Sequence, residues 1–156
     1  MKTGLAEGEK RFYNGGMSPL RRTRHAVYDL KYYFVLVPKY RKLLLTGAIA
    51  KRLKEISQEI AERYELEIDT MEVMEDHVHL FLGVPPRYAP SEAVNILKSL
   101  SAKMLFKEFP AIKRELWGGE LWNDGYFVRS VGDKVTAEVI RRYIKHQHQD
   151  QLGFEF

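Results

Sequence analysis

Residues 75–82 of this 156-residue chain read Glu75-Asp76-His77-Val78-His79-Leu80-Phe81-Leu82. The run predicts a β-strand, in which residues two positions apart project from the same face of a sheet. His77 and His79 are therefore expected on one face, with their Cα atoms roughly 6–7 Å apart. Val78, Leu80 and Leu82 face the other way, where we expect a core. Two imidazoles at this spacing suit two ligands of one metal ion.

Residue patterns in the rest of the chain predict strands separated by helices, with one pair of consecutive strands. The predicted elements are strand 25–37, helix 47–64, strand 66–74, strand 77–84, a helix from Pro90 to Phe109, strand 126–131 and helix 134–149. This order, with one direct strand pair, is typical of an α+β fold with a ferredoxin-like split βαβ antiparallel sheet. We expect helices on one face of the sheet, which leaves the other face for a site or a partner.

Glycine, serine and proline divide the chain into an arm and one domain. Residues 1–23 contain Gly15, Gly16, Ser18 and Pro19 and predict a flexible basic arm. Residues 24–156 are long enough for a single domain with its own core. No apolar run reaches the length of a membrane-spanning helix, and the first residues lack a signal-peptide core. We therefore expect a cytoplasmic protein.

Composition and charge exclude several classes of site. The chain has no cysteine, so disulfides, thiolate catalysis and cysteine zinc sites are excluded. Residues 1–24 hold six basic and two acidic side chains, which accounts for the whole net charge of +4. The remaining residues are neutral overall. Any affinity for nucleic acid must come from local basic patches or from the arm.

The last predicted helix carries the second part of a candidate site. Tyr143 and Gln147 are four residues apart and share one helical face. A phenolate is a nucleophile, and an amide carbonyl is a ligand for a hard metal. If this helix packs over the histidine strand, His77, His79 and Gln147 form a nitrogen and oxygen site. Such a site fits Mg²⁺ or Mn²⁺, with other divalent metals also accepted.

Basic residues flank both parts of this candidate site and are predicted to contact a DNA backbone. One group follows the first strand, and the other lies on the tyrosine helix: Lys39, Arg41 and Lys42, then Arg141, Arg142 and Lys145. A solvated basic loop is nearly as good an explanation of the first group. Trp117 and Trp122 could stack on bases, although packing is the better interpretation of at least one. Asp76 is interpreted as a residue that bounds the turn before the strand.

These motifs together resemble a known family. His77-Val78-His79 matches the histidine-hydrophobic-histidine motif of the HUH nucleases, and its surroundings resemble the single-tyrosine HUH transposases of small insertion sequences. Further matches, in order along the chain, are Val37–Arg41, Leu116–Gly119, Leu121–Asn123 and Tyr143–Gln147. The resemblance runs from about residue 25 to residue 149.

The resemblance implies an activity and partners that the residues alone do not give. Members of that family cleave and rejoin single-stranded DNA through a 5′-phosphotyrosine, and they recognise hairpins near the ends of the element. By this likeness His77, His79 and Gln147 are metal ligands and Tyr143 is the nucleophile. The likeness also implies a homodimer in which the tyrosine helix of one subunit serves the histidine pair of the other.

Other functions stay open at this stage. A domesticated relative or a replication initiator would keep the same chemistry in another biological role. A non-catalytic DNA-binding protein could retain the fold alone. Histidine-triad hydrolases are disfavoured, because Phe81 stands where their third histidine would be.

Overall fold

The computed structural model describes residues 20–132 and 136–146. Its strands are β1 (Arg21–Arg22), β2 (Val27–Tyr28), β3 (Lys31–Leu36), β4 (Glu67–Val73), β5 (Val78–Gly83) and β6 (Phe127–Ser130). Its helices are α1 (Gly47–Arg63), α2 (Pro90–Glu108), α3 (Pro110–Arg114) and α4 (Ala137–Lys145). Short 3-10 turns occupy Lys39–Arg41 and Trp117–Gly119.

Four strands form the main sheet in the order β4-β5-β3-β6, and every neighbouring pair is antiparallel. Strands β3 and β4 are joined through α1 but are separated in the sheet by β5. This is the split βαβ arrangement, and it confirms the predicted α+β, ferredoxin-like class. The register places Val35 beside His79 and Tyr33 beside Phe81.

Helices α1 and α2 cover one face of the sheet. The apolar stripe of α1 and the buried side of α2 pack against Leu80, Leu82 and Phe34. Pro90 suits the first turn of α2 because that position needs no backbone N–H donor, and the Glu92 carboxylate accepts a hydrogen bond from the Ala89 N–H at 3.1 Å. Leu80 and Leu82 thus face the core, as predicted.

The opposite face is covered in part by α4, which begins where the Thr136 hydroxyl accepts a hydrogen bond from the Val139 N–H. Ile140 and Ile144 lie on its buried side and pack against Tyr33, Val35 and Phe81, forming a second apolar cluster. The predicted helix 134–149 is represented by residues 137–145, and its two ends lie outside the described residues.

The structure differs from the sequence expectations near the start of the domain. The predicted strand 25–37 is divided, because β2 pairs with β1 in a separate two-stranded sheet whereas β3 joins the main sheet. Arg21 and Arg22, expected at the end of a flexible arm, form β1, and the Arg21 guanidinium lies 2.7 Å from the Glu67 carboxylate. Residues 1–19 of the predicted arm lie outside the described residues.

Within the described ranges, no helix is both long and apolar enough to cross a membrane.

Two leucines provide a test of where the core lies. Leu80 is 1% exposed between β5 and the helices, whereas Leu43 is 66% exposed. Replacing Leu80 by alanine should lower the free energy of unfolding by about 2–5 kcal/mol, because burial is lost and a cavity remains. Leu43→Ala should change it by less than about 0.5 kcal/mol. Urea unfolding of the two variants measures the difference, and equal losses would contradict this packing.

Candidate active site

The two histidines lie together on the face covered by α4. Their ring centroids are 4.8 Å apart, and the ring planes are nearly perpendicular. His77 is the residue before β5, whereas His79 lies within that strand and is fully buried. The strand alternation predicted from the sequence therefore produces the paired arrangement, and α4 adds the burial.

A carboxylate orients the first histidine. The Nδ1–H of His77 donates to an Asp76 oxygen at 2.7 Å, and the other Asp76 oxygen lies 3.3 Å from the Arg41 guanidinium. Burial opposes ionisation of Asp76, but the hydrogen bond from His77 and the charge of Arg41 hold its pKa below the usual value. With Nδ1 held in this way, Nε2 is the His77 nitrogen suited to bind a metal.

Tyr33 orients the second histidine, His79, as Asp76 orients the first. The Tyr33 hydroxyl lies 2.6 Å from His79 Nδ1, and the two rings are stacked at a centroid distance of 5.9 Å. Burial raises the pKa of the Tyr33 phenol, and the neighbouring Tyr143 phenol raises it further, so Tyr33 stays protonated. With the His79 Nδ1–H donating to the Tyr33 oxygen, this hydrogen bond fixes the ring and leaves Nε2 as the nitrogen that can bind a metal.

Tyr143 lies beside the histidine pair of its own chain. Its ring centroid is 6.1 Å from that of His79 and 5.9 Å from that of Tyr33, both in nearly perpendicular geometry. The side chain is half-buried between solvent and the second apolar cluster. The tertiary structure thus brings Tyr143 beside His79 and Tyr33, which lie 64 and 110 positions earlier in the sequence.

A partly buried charge cluster lies at the edge of the same face. Asp69 accepts two hydrogen bonds from the Arg141 guanidinium, Nε to Oδ1 at 2.7 Å and Nη2 to Oδ2 at 2.6 Å. The Lys31 ammonium donates to Oδ2 at 3.0 Å. Burial alone would raise the pKa of Asp69, but the hydrogen bonds from Arg141 and Lys31 outweigh it and hold that pKa well below the usual range.

The predicted DNA-binding residues have different surroundings. Lys39 lies 3.1 Å from Glu120, Arg41 pairs with Asp76, and Arg141 pairs with Asp69. Arg142 makes an exposed pair with Glu138 at 3.3 Å. Two more of these side chains are exposed, Lys42 and Lys145. Their DNA-binding role stays a prediction.

The two tryptophans are also distinguished. Trp122 is buried, and its Nε1–H donates to the Ser101 hydroxyl at 3.0 Å. Trp117 is 85% exposed and precedes two glycines with positive φ, Gly118 and Gly119. Packing therefore accounts for Trp122, and only Trp117 has a ring face available to a base.

Tyr33 and Asp69 were not predicted as site residues from the sequence, and Asp76 was interpreted only as a residue that bounds a turn. Asp76 could have been found from its position next to His77, since carboxylates commonly orient metal-binding histidines. Tyr33 and Asp69 carry no such local signal, because their partners lie on other elements.

The donor set fits a metal only in part within the described residues. His77 and His79 offer two nitrogens, but the described part of the chain contains no group of three or more histidine, aspartate or glutamate side chains placed to hold a metal. The third predicted ligand, Gln147, lies outside the described residues. The pair of oriented imidazoles is thus compatible with a metal site that a further oxygen ligand would complete.

Comparison with known proteins gives the class of this molecule. Residues 26–147 match the family model described as IS200-like transposase. The protein is therefore a transposase by class, and it belongs to the IS200-like family. Among curated relatives, the ISDra2 transposase TnpA of Deinococcus radiodurans is 41% identical over 85% of this chain and 94% of its own length. The IS200 transposase of Salmonella typhimurium is 35% identical over 83% and 84% of the two chains.

Solved structures agree with the fold. A crystal structure of a candidate transposase from Deinococcus radiodurans superposes with a TM-score of 0.66 at 40% identity, covering 81% of this chain and 96% of that one. A REP-associated tyrosine transposase bound to a REP hairpin has a TM-score of 0.54 at 15% identity, covering 83% and 70%. The second likeness is one of fold alone.

The charge cluster gives a pH-dependent prediction. Because the pKa of Asp69 is lowered on folding, its contribution to stability is complete above the unfolded-state pKa of about 3.9 and is lost as pH falls towards the lower folded-state pKa. Asp69→Asn should therefore reduce the free energy of unfolding by about 1–3 kcal/mol near neutral pH. The gap between the variant and the unmodified protein should shrink as pH falls below about 4.

Urea unfolding at several pH values measures this gap. Asp124→Asn is the matched control, because the Asp124 side chain is 88% exposed, and this variant should remain close to the unmodified protein throughout. A gap for Asp69→Asn that does not change with pH would contradict the role assigned to this carboxylate.

Proposed function

We propose that this transposase cleaves and rejoins single-stranded DNA by forming a covalent bond between Tyr143 and a 5′-phosphate. The observation that supports this most directly is the position of the Tyr143 ring, 6.1 Å from His79, in a chain of the IS200-like family. In this arrangement the tyrosine supplies a nucleophile, and the two oriented histidines supply a site for a charge-stabilising ion.

The proposed step exchanges one phosphodiester for another. The Tyr143 phenolic oxygen forms a bond to phosphorus as the bond from phosphorus to the 3′ oxygen breaks. The phenol loses its proton, and the released oxygen gains one and becomes a 3′-OH. Because the phosphodiester count is unchanged, attack by a 3′-OH on the phosphotyrosine reverses the step without an energy source.

The proposed cofactor is a divalent ion, Mg²⁺ or Mn²⁺, held by His77, His79 and Gln147. When bound, the ion would withdraw charge from the phosphodiester oxygen that it contacts. The chain's own groups have separate parts. Asp76 and Tyr33 hold the two imidazoles, and α4 carries Tyr143 towards them.

The proposed partners are single-stranded DNA with hairpin ends and a second copy of the chain. Support for a hairpin comes from the REP-associated tyrosine transposase, which was solved bound to a REP hairpin. Exposed Lys42, Arg142 and Lys145 have the charge to contact phosphates, and the exposed ring of Trp117 suits base stacking. Lys39, Arg41 and Arg141 are paired with carboxylates. To contact DNA, each would bind a phosphate either beside its carboxylate or in place of it.

The subunit to which the tyrosine helix contributes is a separate part of the proposal. The family resemblance implies a helix that serves the partner subunit, whereas α4 packs here on the sheet of its own chain. We therefore propose that Tyr143 can act with the histidines of its own chain in a homodimer. We also propose that the protein acts in the cytoplasm.

Removing one oxygen tests the nucleophile. Tyr143→Phe should abolish the covalent adduct, at least about a thousandfold below the unmodified protein, because no other group replaces the attacking oxygen. DNA binding should persist, because the ring and the basic residues stay. The measurement is a denaturing gel with end-labelled single-stranded flanks of the gene, with and without Mn²⁺.

Tyr64→Phe is the matched control, since Tyr64 follows α1 on the other side of the sheet, and it should give the normal adduct. An adduct with Tyr143→Phe would refute the nucleophile. Cleavage without any adduct in the unmodified protein would instead indicate a nuclease that uses water. Binding without cleavage of the correct end sequence would favour a non-catalytic relative.

The metal ligands are tested by binding. His77→Ala and His79→Ala should each weaken Mn²⁺ binding by about tenfold or more, because each removes one ligand of a small set. Isothermal titration of the whole protein with Mn²⁺ measures this, and circular dichroism checks that both variants remain folded. His25→Ala is the control, because His25 is exposed near β2. Unchanged Mn²⁺ affinity in either site variant would remove that histidine from the proposed set.

A further inference from the structure

We propose that Asp69 and Arg141 act as positioning residues for cleavage, because their ion pair fixes the orientation of α4 and with it the place of Tyr143. The inference rests on the proposed nucleophilic role of Tyr143. It also gives Arg141 a task different from the phosphate contact that its sequence position suggests.

The first observation is the geometry of the pair. Arg141 donates through two nitrogens to the two oxygens of one carboxylate, at 2.7 and 2.6 Å. Such a fork-to-fork contact restricts direction as well as distance. The Asp69 side chain is only 10% exposed and the Arg141 side chain 26% exposed, so water competes weakly for either group.

The second observation is the β-bulge that presents Asp69. Ile68 pairs with Leu82 and Thr70 pairs with Phe81, so Asp69 is an extra residue in β4. A bulge of this kind redirects a side chain relative to the regular alternation. The irregularity occurs at the residue that receives Arg141, and Lys31 from β3 reaches the same carboxylate.

The third observation is the position of the pair relative to the site. Phe81, two residues after His79 on β5, lies below both cations, with the Lys31 nitrogen 5.5 Å and the Arg141 guanidinium carbon 5.9 Å from its ring centroid. The ion pair is therefore on the same sheet face as the histidines. Arg141 is only two residues from Tyr143, so any rotation of α4 about its axis moves both.

The apolar contacts of α4 cannot fix this orientation alone. The helix has nine residues, and Ile140 and Ile144 are its buried ones. Apolar burial holds such a helix against the sheet but is not directional, so small rotations or slides cost little. The fork between Arg141 and Asp69 supplies the missing direction. A misplacement of about 1 Å can reduce the rate of an aligned reaction about a hundredfold.

Asp69→Asn separates this proposal from a DNA-binding role for Arg141. The variant removes a negative charge and leaves every basic side chain in place, so DNA affinity should stay equal or rise slightly. If Arg141 is needed only to contact phosphate, cleavage should not fall. If the pair positions α4, the single-turnover adduct rate at saturating DNA should fall by about tenfold to a hundredfold.

A second measurement does not depend on activity. Hydrogen exchange of the intact protein should show faster exchange of the amides in residues 137–145 of Asp69→Asn, with those of β3 and β5 unchanged. Glu138→Gln is the matched control, because it breaks the exposed pair with Arg142 on the same helix and should alter neither exchange nor rate. The conservative variant Asp69→Glu, which keeps a carboxylate for both Arg141 and Lys31, should recover part of the rate lost in Asp69→Asn.

The outcomes are distinct. In Asp69→Asn, a slower adduct with normal DNA affinity and faster α4 exchange, together with partial recovery in Asp69→Glu, would establish the positioning role. Unchanged α4 exchange, or faster exchange with an unchanged adduct rate, would overturn it. If the unmodified protein forms no adduct while α4 exchange still responds to Asp69→Asn, the proposed function fails and the ion pair is a structural anchor only.

Discussion

Strand β5 has to satisfy apolar packing on both of its faces, and the rest of the structure depends on this constraint. Val78, Leu80 and Leu82 face the large core beneath α1 and α2. His79 and Phe81 face the smaller cluster beneath α4. A shift of one residue in the register would exchange these faces and place imidazole in the main core. The central position of β5, between β4 and β3, holds that register from both sides.

Burial of polar groups on the second face explains the other contacts. A polar side chain removed from water needs a hydrogen-bond partner, or folding loses free energy. His79 has Tyr33, His77 has Asp76, and Asp69 has Arg141 and Lys31. Each partnership also restricts a geometry that the proposed chemistry would need. Stability and alignment are therefore served by the same hydrogen bonds.

Membership of the IS200-like family gives these contacts their context. The curated relatives match more than four fifths of this chain, so the shared part is nearly the whole described domain. A transposase must bring reacting groups together without losing the ability to release DNA afterwards. Helix α4, which carries the proposed nucleophile Tyr143, packs on the sheet through Ile140 and Ile144 and through the pair between Arg141 and Asp69.

The sequence by itself determined the periodic features of this protein. The ranges of α1 and α2, the pairing of His77 with His79 on one face and the direction of Leu80 follow from local repeats of 3.6 and 2 residues. Local patterns failed where the chain changes its pairing partner, as at the division between β2 and β3. The tertiary structure decided that Tyr143 lies beside His79, that Tyr33 orients the His79 ring, and that Arg141 faces Asp69. These contacts join residues far apart in the chain through strand register and helix docking, and neither is encoded in the spacing of neighbouring residues.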